Sequence, residues 1–157
     1  MKKIFDVVKL IESVLRKENI EWVIGGSTSL LLQGIEISVS DIDILTDREG
    51  AFRIYEILGE YGTKPVAFSE KERTKSYWGK LSIDDVEIDL MGDFCKKVDG
   101  EWVNFSMKRI KDKETVNLDG VNLPVTKLES HLELYKIMKR EKDIEKIKQI
   151  EKILSNK

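Results

Sequence analysis

Apolar residues recur at helical spacing from Phe5 to Lys17, at Phe5, Val8, Ile11 and Leu15 with Val7 and Leu10 beside them. The pattern predicts an opening helix that ends near Asn19. Glu21 to Ile24 reads as a short apolar strand stopped by Gly25-Gly26. Ser27 is placed to cap a helix over Thr28 to Gln33, which Gly34 terminates. The loop Ile35 to Ser40 leads into an alternating strand, Asp41 to Leu45. A helix is expected from about Glu49 to Gly59, with Phe52, Tyr55, Ile57 and Leu58 turned inward. After Pro65 the period changes to that of hairpins. Tyr77–Ile83 and Val86–Met91 flank Asp84-Asp85, Trp102–Phe105 follows Asp99-Gly100, and Thr115–Leu118 and Val121–Val125 flank Asp119-Gly120. Thr126-Lys-Leu-Glu129 has the form of a capping box opening a helix whose apolar face includes Leu128, Leu132, Tyr135 and Met138. Asp143 is placed to cap a last helix buried through Ile144, Ile147, Ile150 and Leu154, or to pair with Arg140. These elements make one α/β (α+β) domain over residues 1–157 with a mixed sheet over about 20–125 and helices over about 127–155.

Composition narrows the class. At 157 residues the chain can bury a core without metal or disulfide staples, and its single cysteine, Cys95, fits a reducing compartment. No signal-peptide pattern or membrane-length apolar run is present, so a cytoplasmic protein with no membrane partner is expected. The net charge of −2 gives no global field for a polyanion; any nucleic acid would need a local patch. Charged residues reach 36%, mostly Lys and Glu, a balance that suits a thermophile and a Lys/Glu-rich mesophilic surface equally.

The chemistry lies in three places. Gly25-Gly26-Ser27 joins a strand to a helix, where glycines permit close backbone approach and free N–H groups face an anion. By itself this is also an ordinary turn with a serine cap. Asp41-Ile-Asp43 puts two carboxylates on one face of a strand, with Ile42 and Ile44 on the other. Carboxylates that close repel, so they call for a cation or open water. Val86-Glu87-Ile88-Asp89-Leu90 repeats the parity and offers Glu87 and Asp89.

In combination, Trp22 to Leu45 followed by Asp89 resembles the nucleotidyltransferase fold of the DNA polymerase β superfamily. Within it, GGSTSLLLQG…SDIDIL is similar to small bacterial and archaeal enzymes related to AbiEii-type toxins and aminoglycoside nucleotidyltransferases. The C-terminal basic cluster of such proteins is matched by Lys136, Arg140, Lys142 and Asp143. The resemblance implies that Asp41, Asp43 and Asp89 are catalytic and bind Mg²⁺ (or Mn²⁺), with Asp89 as general base. It implies that Gly25, Gly26, Ser27 and Lys136 bind a nucleoside triphosphate, whose nucleoside monophosphate passes to a hydroxyl on a tRNA, a protein or a small molecule. One departure stands out: Ile37-Ser38-Val39-Ser40 lacks the basic residue that relatives often carry before Asp-x-Asp, leaving the triphosphate charge to be balanced elsewhere.

The rival expectation is a catalytically silent module of the same fold, such as a toxin–antitoxin partner protein. Either would leave room for a homodimer or a helical partner protein. Lys71, Arg73, Lys75 and Lys80 lie near Tyr77 and Trp78, a pattern read first as a solvated loop beside a core tryptophan and second as a nucleic-acid contact. His131 has no histidine partner for a zinc site and reads as structural or surface.

Overall fold

In the computed structural model, which describes residues 1–157, the opening pattern becomes helix α1 (Lys2–Leu15), followed by strand β1 (Trp22–Gly25), helix α2 (Gly26–Leu32) and strand β2 (Asp41–Thr46). Helix α3 (Arg48–Ile57) precedes strands β3 (Gly62–Glu70), β4 (Thr74–Ile83), β5 (Val86–Val98) and β6 (Glu101–Asn104). Helix α4 (Phe105–Lys111), strands β7 (Glu114–Leu118) and β8 (Val121–Val125), and helices α5 (Leu128–Met138) and α6 (Ile144–Ser155) complete the chain.

The strands form one mixed sheet in the order β3-β4-β5-β2-β1-β8-β7, with β6 pairing β5. The centre holds because β2 and β5 run parallel and bury one side chain in two: Ile42, Ile44, Ile88 and Leu90 are fully buried beneath α1 and α3. Each such side chain contributes about 2 kcal/mol of burial. On the opposite face a second cluster joins Leu30 and Ile35 to Leu128, Tyr135 and Ile150. It fastens the C-terminal helices to α2, so that they stand as a wall beside the acidic strands.

Several expectations change. Ser27 does not cap α2; the helix starts two residues earlier than expected, with Gly25 in the cap position and Gly26 at φ +57°, a conformation that favours glycine. Thr126 makes no capping box either. Its hydroxyl donates to the Ile24 carbonyl, tying β8 to β1, and α5 begins at Leu128. Asp143 occupies the cap position of α6 but its carboxylate serves Arg140 rather than the helix. Phe52 is exposed, its ring meeting Tyr77 on the surface. Strand β3 and helix α4 were not foreseen. Pro65 argues against an interior strand, yet β3 is an edge strand, where a missing N–H costs nothing.

Candidate active site

Parallel pairing of β2 with β5 sets Asp43 directly beside Asp89 and Asp41 beside Glu87. Antiparallel pairing of β1 with β2 sets Gly25 opposite Asp43. The turn into α2 therefore overhangs the carboxylates so closely that a Cβ on Gly26 would collide with Asp43 Oδ2. One oxygen from each of Asp41, Asp43 and Asp89 lies within 4.8 Å of the others, a separation that one divalent cation can span.

Asp43 and Asp41 hold their protons more tightly than free carboxyls do. Asp43 is pushed up to about 7, first by burial and then by Asp41 and Asp89. Asp41 is also raised, by its own partial burial and by Asp89 and Glu87. Such a group is costly to leave without a cation, and the donor set is all oxygen, as Mg²⁺ and Mn²⁺ prefer. Neighbours on β4 fix the third member: Trp78 Nε1 donates to Asp89 Oδ1 at 3.0 Å. Lys80 pairs with Glu87 and lies 3.9 Å from Asp89 Oδ1. Glu87 is thus committed to a lysine and stays outside the trio.

A cavity of about 250 Å³ opens between Gly25–Ser27, Asp41 and Asp43 on one side and α4, α5 and the following turn on the other. Four cations face it: Lys96, Arg109, Arg140 and Lys146. Lys96 is half-buried and its ammonium is pushed below the usual lysine range by burial and by Arg140 and Lys142. It meets Met138 Sδ at 3.9 Å rather than a carboxylate. Arg140 is held by Asp143, fully buried, through an Nε–Oδ2 bond of 2.7 Å. Arg109, almost fully buried, donates to the Ser130 carbonyl. Four cations whose only ion-pair partner is the buried carboxylate of Asp143, beside a cluster of three carboxylates, have an electrostatic shape that suits a metal-bound polyphosphate.

Comparison with known proteins agrees with that shape. A model of the aminoglycoside-2''-adenylyltransferase family matches residues 7–150. The chain belongs to this family. A solved structure described as a candidate nucleotidyltransferase from Thermotoga maritima is 36% identical over 99% of this chain and 95% of its own, with a TM-score of 0.82. The structure of ANT(2")-Ia in complex with adenylyl-2"-tobramycin has the same fold at 15% identity and a TM-score of 0.61, covering 98% of this chain and 90% of its own. Sequence comparison with curated proteins gives no match.

In this nucleotidyltransferase the residues singled out from sequence are mostly gathered together. Gly25, Gly26, Ser27, Asp41 and Asp43 line the cavity, and Asp89 adjoins Asp43. Lys136 is not among them: it lies outside the cavity, paired with Glu151 at 3.5 Å. Lys96, Arg109 and Lys146 were missed. For Lys96 the reason is a bulge. Counting by twos from Asp89 puts Cys95 on the site face, but β5 carries an extra residue near Asp93 (φ +47°), which shifts the parity and brings Phe94 and Lys96 to the cavity beside Met91. The one sequence-level hint is Gly92-Asp93, a pair that tolerates the backbone of a bulge. His131 is buried, and Ser29, which donates to the Thr126 carbonyl, must accept from its Nε2–H. It is a structural residue that couples α5 to α2.

Proposed function

We propose that this chain moves a nucleoside monophosphate from a Mg²⁺-bound nucleoside triphosphate to an acceptor hydroxyl, releasing pyrophosphate. The observation that carries the reading is the trio of carboxylates within 4.8 Å, two of which, Asp41 and Asp43, line a cavity walled by Lys96, Arg140 and Lys146. Residues 1–157 act in this reading as one catalytic unit.

Asp41, Asp43 and Asp89 would hold the metal, which supplies charge neutralisation and polarises the phosphate oxygens. Gly26 and Ser27 lie against the carboxylates, where backbone N–H groups and a hydroxyl reach phosphate oxygens. Lys96 and Arg140 take the role that the missing basic residue before Asp41 leaves open, and they favour departure of pyrophosphate. The buried Asp143 carboxylate fixes Arg140 in that position. Asp89 receives the proton of the attacking hydroxyl, and the indole of Trp78 fixes which of its oxygens is free to do so.

Incubation with each α-phosphate-labelled nucleoside triphosphate, Mg²⁺ and a lysate from its own source tests this, with an Asp41→Asn, Asp43→Asn double variant as control. Label passes to an acceptor with the wild type alone. Absence of transfer by folded protein that binds the nucleotide would overturn the reading in favour of a silent binding module. Asp89→Asn lowers the transfer rate roughly 100- to 10,000-fold, the usual weight of a positioned base.

A further inference from the structure

Arg109 is the deepest of the four cavity cations. It is 4% exposed, whereas Lys96, Arg140 and Lys146 are all partly open to solvent. Burying a guanidinium is costly unless an anion compensates it. No carboxylate of this chain does so. Glu133, whose charge Arg109 feels, is paired with Lys108, and Asp112 is exposed at the end of α4.

The guanidinium is nevertheless held firmly. Its Nη2 donates to the Ser130 carbonyl at 3.2 Å, and its Cζ lies 5.1 Å from the centre of the Phe105 ring. None of its nitrogens is both buried and without a partner, so the N–H groups that Ser130 leaves free open on the cavity. A rigid fork presented in this way suits two oxygens of one phosphate group.

Its place in the fold says which phosphate. Helix α4 packs across β1, β2 and β5 on the carboxylate face, where Ile110 meets Val23 and Leu45. Leu45 stands two residues beyond Asp43 on the same face of β2, about 7 Å along the strand. Gly25 approaches that leucine too: a Cβ there would lie 3.2 Å from Leu45 Cδ1 and 3.9 Å from Thr126 Oγ1. Arg109, Leu45, Thr126 and Gly25 thus share the end of the cavity where the Gly-Gly-Ser turn meets α4. Ser130, which anchors the guanidinium, precedes His131, and His131 joins α5 to α2 through Ser29. The arginine and the turn are therefore fixed to one framework. In a triphosphate whose α-phosphorus sits at the acidic trio, the last phosphate reaches this end.

We propose that Arg109 binds the terminal phosphate of the nucleoside triphosphate and makes the site select triphosphates over diphosphates. This rests on the nucleotidyl-transfer reading above. Arg109 exchanges no proton, because a guanidinium stays charged. It positions the substrate: with the γ-phosphate held beside the Gly-Gly-Ser turn, the α,β-bridging oxygen leaves on the side away from Asp89, in line with the hydroxyl that Asp89 deprotonates.

The test is calorimetry in Mg²⁺ with ATP, GTP, CTP and UTP and with the four matching diphosphates, on the wild type, Arg109→Gln and Arg109→Lys. For the nucleoside bound most tightly, the wild type prefers the triphosphate by at least about tenfold, the weight of a charge-assisted pair of hydrogen bonds. In Arg109→Gln that preference falls to about threefold or less, with diphosphate affinity kept within about twofold. Arg109→Lys keeps the charge and loses the fork; it lowers the preference at least about threefold and carries the test if the glutamine variant does not fold. A preference below tenfold in the wild type, or one unchanged in the folded variants, would overturn the proposal. So would an equal loss of triphosphate and diphosphate affinity, the result of a purely structural arginine. Failure of the wild type to bind any triphosphate with Mg²⁺ would instead overturn the underlying reading.

Discussion

Asp43 sits where two demands oppose each other. Held next to Asp41 and Asp89 and largely buried, its carboxyl is raised to about 7 against an ordinary 3.8. Between those values the folded chain retains a proton that the unfolded chain has lost, so Asp43 costs stability as pH rises from about 4 to 7. In EDTA at pH 8, Asp43→Asn therefore melts higher than the wild type, by about 1–3 kcal/mol in urea unfolding, although it destroys the proposed site. His131 works in the opposite pH range. Burial beside Arg109 and Lys146 lowers it to about 3 from 6.5, so the unfolded chain binds the extra proton and stability is lost as pH falls below about 6.5. The limiting slope is about 1.4 kcal/mol per pH unit. Urea titrations from pH 7 to 5 give a flatter profile for His131→Asn; an unchanged profile would rule out His131 as the source. Both carboxylate strands were legible because parity needs only neighbours in sequence. His131's partner, Ser29, lies 102 residues away, and no local pattern announces it.

At the level of elements, tight junctions do the positioning. Gly26 has φ +57°, and a methyl group there meets Asp43 Oδ2. Gly26→Ala accordingly adds about 1–2 kcal/mol of left-handed strain and displaces the carboxylate. Calorimetry then finds triphosphate affinity reduced more than tenfold, with the helical circular dichroism retained. The β4–β5 hairpin that carries Lys80 and Asp89 turns through Asp84 and Asp85, both at positive φ (51° and 65°). That conformation is the one Asn-Gly adopts most readily, so Asp84→Asn with Asp85→Gly raises stability by about 0.5–2 kcal/mol without changing transfer. This hairpin and the β7–β8 hairpin were legible from their turn residues. Strand β3 was hidden by Pro65 and a broken register, and α4 by its brevity, since the seven residues Phe105–Lys111 span only about two turns. The caps differ from expectation at Ser27 because the helix already starts at Gly26, with Gly25 in the cap position, and at Thr126 because its hydroxyl bonds the Ile24 carbonyl.

Over the whole molecule, function follows from a sheet whose one face is core and whose other face is graded in charge. Helices α1 and α3 cover the apolar side, and α2, α5 and α6 close on one another at the other. No helix is long and apolar enough to cross a membrane. The acidic trio therefore stands beside a cationic cavity, in a chain that is slightly acidic as a whole. Sequence motifs located the negative centre; the positive surroundings come from β5 past its bulge, from α4 and from α6, and only folding brings them there. The central claim is that a metal-bound triphosphate occupies this centre. Thermal unfolding with Mg²⁺ and each nucleoside triphosphate, together and separately, for the wild type and Asp43→Asn, addresses it most directly. The account predicts that Mg²⁺ with at least one triphosphate at about 100 times its Kd stabilises the wild type by about 2.7 kcal/mol, roughly 5–10 °C, and leaves Asp43→Asn unmoved. An equal shift in both proteins, or one that needs no metal, would contradict it.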